Sequence, residues 1–274
     1  MIITLLGGGI SSISLAFNLQ KYGFVKKIYI LEKENKLGGL LRSYKFNNIK
    51  YDVGPHIIFS KHKSVLKEVK KILGKNKSKI RRSNKILYDK DTYIKYPFEN
   101  ELSKLPDKDL KYALNEFLIN PYKNIKPQNM MDFFLKNFGK GITNLYLKPY
   151  NHKIWKFPVN KLDTQMVSRI PKPPKEDIIN SAKGINTEGY KHQLFFHYPK
   201  RGGIESLINA YKKKLNKKVK FILNSNINKI ENKHNKFLIY YGNNKTLYSD
   251  QLFSSIPLNK FSNIFKSNKI IKKK

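Results

Sequence analysis

The sequence contains no cysteine. Disulfide scaffolds, thiolate zinc sites and cysteine nucleophiles are therefore excluded together, and the expected compartment is a reducing one, the cytoplasm. No run approaches the 18 or more apolar residues of a membrane-spanning helix, so no integral membrane segment is expected. Residues 1–18 are mostly apolar, but no Lys or Arg precedes them, and Gly7, Gly8 and Gly9 interrupt the run where a signal peptide would be most helical. Alanine and arginine are scarce: four Ala, and five Arg among 55 basic residues. Against 19 acidic residues the formal charge is +36, a value that invites a phosphate-polymer partner. Composition supplies a simpler cause. The excess falls on Lys, with 29 Asn, 31 Ile, 17 Tyr and 17 Phe beside it, all residues with AT-rich codons, whereas Ala and most Arg codons are GC-rich. With no recognition helix, aromatic RNA-binding signature or C-x-x-C finger, no nucleic-acid partner is expected. The histidines lack metal-ligand spacing beside carboxylates and no serine sits in a G-x-S-x-G elbow, so neither a metal nor a hydrolytic triad is expected.

What is present is a folded chain of 274 residues, 40% hydrophobic. Residues 2–6 (IITLL) read as a buried parallel strand ending at glycines. A helix follows over 11–22, and residues 27–31 (KIYIL) read as the next buried strand, completing a β-α-β unit. Helical spacing recurs at 64–73, 107–119, 128–138 and 140–148. Residues 84–98 resemble a hairpin around Asp89-Lys90-Asp91. The prolines between Pro149 and Pro174 predict a looped stretch. After Gly202 and Gly203 come a helix at 204–215 and strands at 218–223, 235–241, 245–249 and 250–256. The expected class is α/β: a Rossmann-like dinucleotide-binding domain from residues 1–74 and 199–258, a mixed α+β substrate domain inserted at 75–198, and a basic tail at 259–274 whose last lysines fray.

The turn Gly7-Gly8-Gly9-Ile10-Ser11-Ser12 lies between the first strand and its helix. Glycines there allow close approach to a pyrophosphate, whose charge rests on the helix N-terminal N–H groups. Ser12 replaces the last glycine of G-x-G-x-x-G. Glu32 ends the second strand, where its carboxylate can accept hydrogen bonds from an adenosine ribose. Strand, glycines, helix, strand and acid together predict a dinucleotide site.

Beyond Glu32 the chain reads Lys36-Leu37-Gly38-Gly39-Leu40-Leu41-Arg42-Ser43 and then Tyr51-Asp52-Val53-Gly54-Pro55-His56. Later blocks include Tyr96-Pro97-Phe98-Glu99-Asn100, Phe138-Gly139-Lys140-Gly141, Pro149-Tyr150-Asn151 with Trp155, Arg169-Ile170-Pro171, and Tyr198-Pro199-Lys200-Arg201-Gly202-Gly203-Ile204. In this order they resemble the FAD-dependent amine-oxidase and protoporphyrinogen-oxidase-like family, whose sibling is UDP-galactopyranose mutase. The resemblance runs to about Leu258. It implies FAD as cofactor, with Gly38 and Gly39 wrapping the pyrophosphate, Arg42 near phosphate or flavin, Gly54, Pro55 and His56 along the isoalloxazine, and Ile227 touching the adenine through its backbone. Trp155 and Arg169 match positions that contact the sugar nucleotide in the mutase branch. From the residues alone Trp155 suits a stacking platform or a core aromatic, Arg169 a bidentate anion clamp or a structural ion pair, and His56 a flavin neighbour or a hydrogen-bonded structural residue.

The implied activity is hydride transfer from a small-molecule substrate to flavin N5. The alternatives are a mutase-like isomerisation of a sugar nucleotide and an inactive fragment. The family pattern continues beyond the last strand, so a C-terminal truncation, or a second chain supplying the missing part, is a further expectation.

Overall fold

The computed structural model describes residues 1–54, 56–170, 172–187 and 194–266; the side chains of Met166, Ser168, Arg169 and Lys266 lie outside that description. Two compact units emerge, one from residues 1–80 with 197–274 and one from residues 81–196.

The chain opens with β1 (Ile2–Leu6), α1 (Ile10–Leu19) and β2 (Lys27–Leu31). Both strands are buried along most of their length rather than at alternate positions, as strands covered on both faces must be. A hairpin, β3 (Ser43–Phe46) with β4 (Ile49–Asp52), and α2 (Lys63–Leu73) follow, and the chain leaves this unit along β5 (Ser78–Arg81).

The second unit contains the hairpin β6 (Lys85–Leu87) with β7 (Tyr93–Lys95), then α3 (Asp107–Leu118), α4 (Met130–Ile142), α5 (Lys148–Trp155) and α6 (Lys175–Ala182), with a π-helical turn at Thr143–Leu147 joining α4 to α5. Its core is aromatic: Phe98, Phe134 and Phe138 are fully enclosed, and Tyr146 stacks on Phe98 at 4.8 Å. The prolines from Pro149 onward do not make the whole stretch a loop. Pro149 opens α5 directly after the π-helical turn, and the chain stays helical through Trp155.

The chain re-enters the first unit along β8 (Phe195–Tyr198) and adds α7 (Glu205–Lys212), β9 (Val219–Ile222), β10 (Ile227–Lys233), β11 (Lys236–Tyr241), β12 (Lys245–Ser249), β13 (Gln251–Ser254), α8 (Leu258–Ile264) and β14 (Phe265–Lys266). Four strands form one parallel sheet in the order β13-β1-β2-β9, pairing Ile3 with Gln251 at one side and Ile30 with Phe221 at the other. A second sheet, β12-β11-β10-β14, is antiparallel except for its last pair. The parallel sheet is packed on both faces. Ile3, Leu5, Ile28 and Ile30 meet Ile13 and Ala16 of α1 and Leu207 and Tyr211 of α7, while Leu6 and Leu31 meet Ile230 and Ile239 of the second sheet. The expectation that the ordered chain gives way to tail at 259 is corrected: Pro257 opens α8, and Phe261 and Phe265 stack at 5.2 Å beside the second sheet. The terminal lysines lie outside the described residues.

One contact in the second unit leaves no slack. A Cβ built on Gly141 of α4 would lie 2.6 Å from the Tyr112 carbonyl and 2.7 Å from Ala113 Cα, both on α3. Those are backbone atoms, so the two helices would have to part. Gly141→Val is expected to destabilise the protein by roughly 2–4 kcal/mol, read as a lowered urea midpoint. An unchanged midpoint would show that the helices do not pack this closely.

Candidate functional site

The carboxyl ends of the four parallel strands point at one cleft, the place where open α/β sheets hold ligands. The residues just beyond each strand line it: Gly7 after β1, Glu32 after β2, Ser225 after β9 and Ser255 after β13. The cavity measures about 1010 Å3, large enough for a cofactor-sized molecule.

Glu32 is the best-anchored group in it. Only 7% exposed, its carboxylate accepts from the Gly8 N–H at 2.6 Å and from the Glu34 N–H at 3.0 Å. Its own backbone ties the floor together, with the Glu32 N–H donating to the Ile222 carbonyl and the Glu32 carbonyl accepting from Ser225. A side chain at Gly8 would collide with Leu37 and Glu32, whereas a Cβ at Gly9 would meet nothing within 4 Å. The turn is packed from behind and open in front. Gly9 is also the N-cap of α1 and offers no side-chain oxygen to the first-turn amides, and no acidic residue occupies that turn. Those N–H groups and the helix dipole are left to serve an anion.

The loop after Glu32 closes back on the turn, the Gly38 N–H donating to the Gly8 carbonyl at 2.8 Å. Arg42 lies on this loop, mostly covered, with Nη2 donating to the Lys36 carbonyl and Nη1 4.0 Å from Glu34. Its Nε is buried and has no hydrogen-bond partner among the described residues. An orphaned guanidinium N–H, an open glycine and uncapped helix amides together fit the diphosphate and ribose of a dinucleotide.

Of the residues singled out in the sequence, Gly7, Gly9, Ile10, Ser11, Glu32, Gly38, Gly39, Arg42, His56 and Ile227 line this cleft. Ser12 does not. It is 3% exposed and its hydroxyl lies 2.9 Å from that of Ser255, joining the start of α1 to the end of β13. Gly54 is not in the lining, though its carbonyl accepts from His56 Nδ1 at 3.1 Å, which leaves Nε2 as that ring's second polar atom. Pro55 lies outside the described residues. Trp155 and Arg169 belong to the second unit. Trp155 is 42% exposed at the end of α5, with Nε1 donating to Asn151, so the core-aromatic reading of it is overturned. Arg169 ends a 3-10 turn, and its side chain lies outside the description.

Ser225, Ser255 and Lys260 were not singled out in the sequence. They sit in no motif, and only the knowledge that β9 and β13 join the N-terminal sheet brings them to the cleft. The rule that ligands bind at strand carboxyl ends is the signal that could have found them.

Beside the cleft, Asp52 latches the β3–β4 hairpin to the segment leading into α7. It accepts from the Ser43 and Tyr198 hydroxyls and from the Ile204 N–H. Burial alone would raise its pKa, but the two hydroxyls and the N–H together, with the nearby His56, hold it below the ordinary aspartate value. Burial and the same carboxylate push the Tyr198 hydroxyl up to about 12.

Residues 6–72 match the NAD(P)-binding Rossmann-like domain family. The chain is similar to the coproporphyrinogen III oxidase of Staphylococcus aureus, 23% identical in an alignment 292 positions long, gaps included, that covers 96% of this chain and 62% of that protein. It superposes on a crystal structure of reduced UDP-galactopyranose mutase with a TM-score of 0.87 and 26% identity, covering 97% of this chain and 58% of the other. A putrescine oxidase variant with redesigned cofactor binding shares the fold, with a TM-score of 0.59 and 13% identity over 96% of this chain and 60% of its own. The chain spans about three fifths of the length of these relatives.

The sign of the Asp52 shift sets its pH dependence. A carboxyl whose pKa is depressed on folding contributes stability above its unfolded value and loses it as pH falls through the folded one. Asp52→Asn is therefore expected to cost about 1–3 kcal/mol near neutrality. The difference from the parent protein should close below about pH 4. Urea titrations across that range check it; a gap independent of pH would remove the carboxylate from the latch.

Proposed function

We propose that the chain is a flavoprotein of the oxidoreductase class that binds FAD in the cleft at the strand ends. The observation that carries the reading is the meeting of an open glycine turn, the uncapped start of α1 and the doubly anchored Glu32 at the end of a parallel sheet. In that arrangement the α1 amides and Arg42 hold the diphosphate, the Glu32 carboxylate accepts from the ribose hydroxyls, and Ile227 packs against the adenine. His56, which lines the same cleft, is the residue assigned to the flavin side. When bound, the flavin supplies the hydride-accepting atom for a substrate C–H. The protein's contribution is placement and charge: anchored amides for the phosphates and an apolar wall from Leu31, Leu41 and Ile256 that excludes water from the nucleotide.

The substrate is a small molecule. The cysteine-free composition and the lack, among the described residues, of any helix long and apolar enough to cross a membrane fit a role in the cytoplasm.

A second reading is favoured by the TM-score of 0.87 with the mutase. Here the same cofactor assists isomerisation of a sugar nucleotide without net redox change, with exposed Trp155 stacking the base and Arg169 binding the diphosphate.

Two measurements test these proposals. Purified protein should quench the fluorescence of added FAD saturably, and Glu32→Gln should weaken binding by roughly ten- to a hundredfold, since the amide nitrogen cannot accept from ribose or backbone N–H. Protein that binds no FAD would refute the cofactor assignment. For the chemistry, anaerobic bleaching of the bound flavin by a substrate establishes the oxidoreductase. Ring isomerisation that appears only after chemical reduction of the flavin would replace it with the mutase.

A further inference from the structure

The end of the parallel sheet opposite the cleft is built from two turns, one between α1 and β2 and one between α7 and β9. β2 and β9 pair in parallel, Ile28 beside Val219, so both turns reach the same end. Buried Gln20 locks them together: its Nε2 donates to the Lys214 carbonyl at 3.1 Å and its Oε1 accepts the Asn216 N–H at 2.8 Å. Lys218 Nζ donates to the Tyr22 carbonyl at 3.2 Å, and the Met1 ammonium to the Phe24 carbonyl at 2.8 Å. The two turns therefore form one platform.

Charge is concentrated on it. Residues 20–28 and 212–220 hold 9 lysines in 18 positions and no acidic residue, against 55 basic residues in 274 for the whole chain. Codon bias accounts for that average but not for a local density more than double it. Among the described residues no carboxylate lies within ion-pair distance of any of the nine. Of the carboxylates flanking this end, Asp250 takes the Ile2 N–H and Lys236, and Glu68 takes the Tyr211 hydroxyl. Apolar surface is concentrated there too. Tyr22 and Phe24 on the first turn are 53% and 59% exposed and stack on one another at 5.4 Å. Water-facing aromatic rings among ammonium groups suit a bilayer interface, where the rings enter the headgroup layer and the lysines reach the phosphates of anionic lipids. A nucleic-acid strand fits less well. Its bases stack on free ring faces, whereas each ring here covers a face of the other, and neither turn holds an arginine to fork onto a phosphate.

We propose that this end of the sheet docks on the surface of an anionic phospholipid bilayer, with Tyr22 and Phe24 inserted among the headgroups and the lysines of both turns on the lipid phosphates. In that orientation the strand-end cleft faces away from the bilayer and stays open to solutes. The docking surface shares no residue with the cleft and does not depend on the flavin assignment.

The test is sedimentation of the whole chain with vesicles of phosphatidylcholine mixed with phosphatidylglycerol, and with vesicles of phosphatidylcholine alone. Binding is expected only to the anionic vesicles. Phe24→Ser should weaken it about tenfold, with Tyr22→Ser as a second variant should the first fail to fold. Lys213→Gln combined with Lys217→Gln should weaken it about thirtyfold. A charge-matched control is Lys45→Gln with Lys50→Gln, at exposed positions on the β3–β4 hairpin, which is bonded to the start of α7 rather than its end. That pair should change binding less than about threefold. The proposal is overturned if the chain stays in solution with anionic vesicles, if it binds both vesicle types alike, if neither aromatic variant weakens binding, or if the control pair weakens it as much as the Lys213 and Lys217 pair. It is also overturned if the platform variants weaken binding to single-stranded DNA while leaving vesicle binding intact, which would make the face a nucleic-acid surface.

Discussion

Two backbone amides closing on one carboxylate hold the functional end of this protein together. Glu32 takes the Gly8 N–H with one oxygen and the Glu34 N–H with the other, so a single buried side chain fixes the turn after β1 and the loop after β2 in one geometry. A buried carboxylate with an unmatched oxygen would be expensive, and each amide would be orphaned without it. The glycine at position 8 follows from this closeness, because any side chain there would displace Leu37 or Glu32. The shape of the cleft is thus set by local hydrogen bonding before any ligand arrives.

Charge plays two different roles in the molecule. Most of the lysines are solvated and carry no message about partners, as codon composition suggests. The few arginines are more informative. Arg42 is largely enclosed at the strand-end cleft with a buried N–H left over, and Arg81 and Arg82 line a hollow in the other unit. A guanidinium is chosen where a planar, permanently charged fork is needed. At Arg42 that geometry is used, the fork reaching the Lys36 carbonyl with one nitrogen and lying 4.0 Å from Glu34 with another.

Much of the architecture could be read from residue patterns because the strongest signals are local. The runs IITLL and KIYIL flanking a glycine turn require a buried β-α-β unit, and the helical periodicity at 107–119 and 64–73 reappears as α3 and α2. What escaped was non-local or weakly patterned. The sequence Ile227–Lys233 holds only two apolar residues, Ile227 and Ile230, spaced three apart with a bulge after Ile227, so β10 gives a poor strand signal until β11 pairs with it. The short helix α8 carries no periodic stripe long enough to see. At the site, Glu32 and the glycines announce themselves through spacing, whereas Ser255 reaches the cleft only through a strand pairing that spans most of the chain.

That pairing has a consequence for how the protein is made. β1 is synthesised long before its neighbour β13, with Ile3 waiting for Gln251. Closing so long a loop is entropically slow. Until it closes, one edge of β1 and the apolar face bearing Leu6 stand uncovered. The nascent β-α-β unit is therefore a sticky, half-finished sheet for most of its synthesis, while the helical segment 81–196, whose contacts are nearer in sequence, can collapse on its own beforehand. Until β13 arrives, the open edge of β1 is the place where a wrong strand can pair.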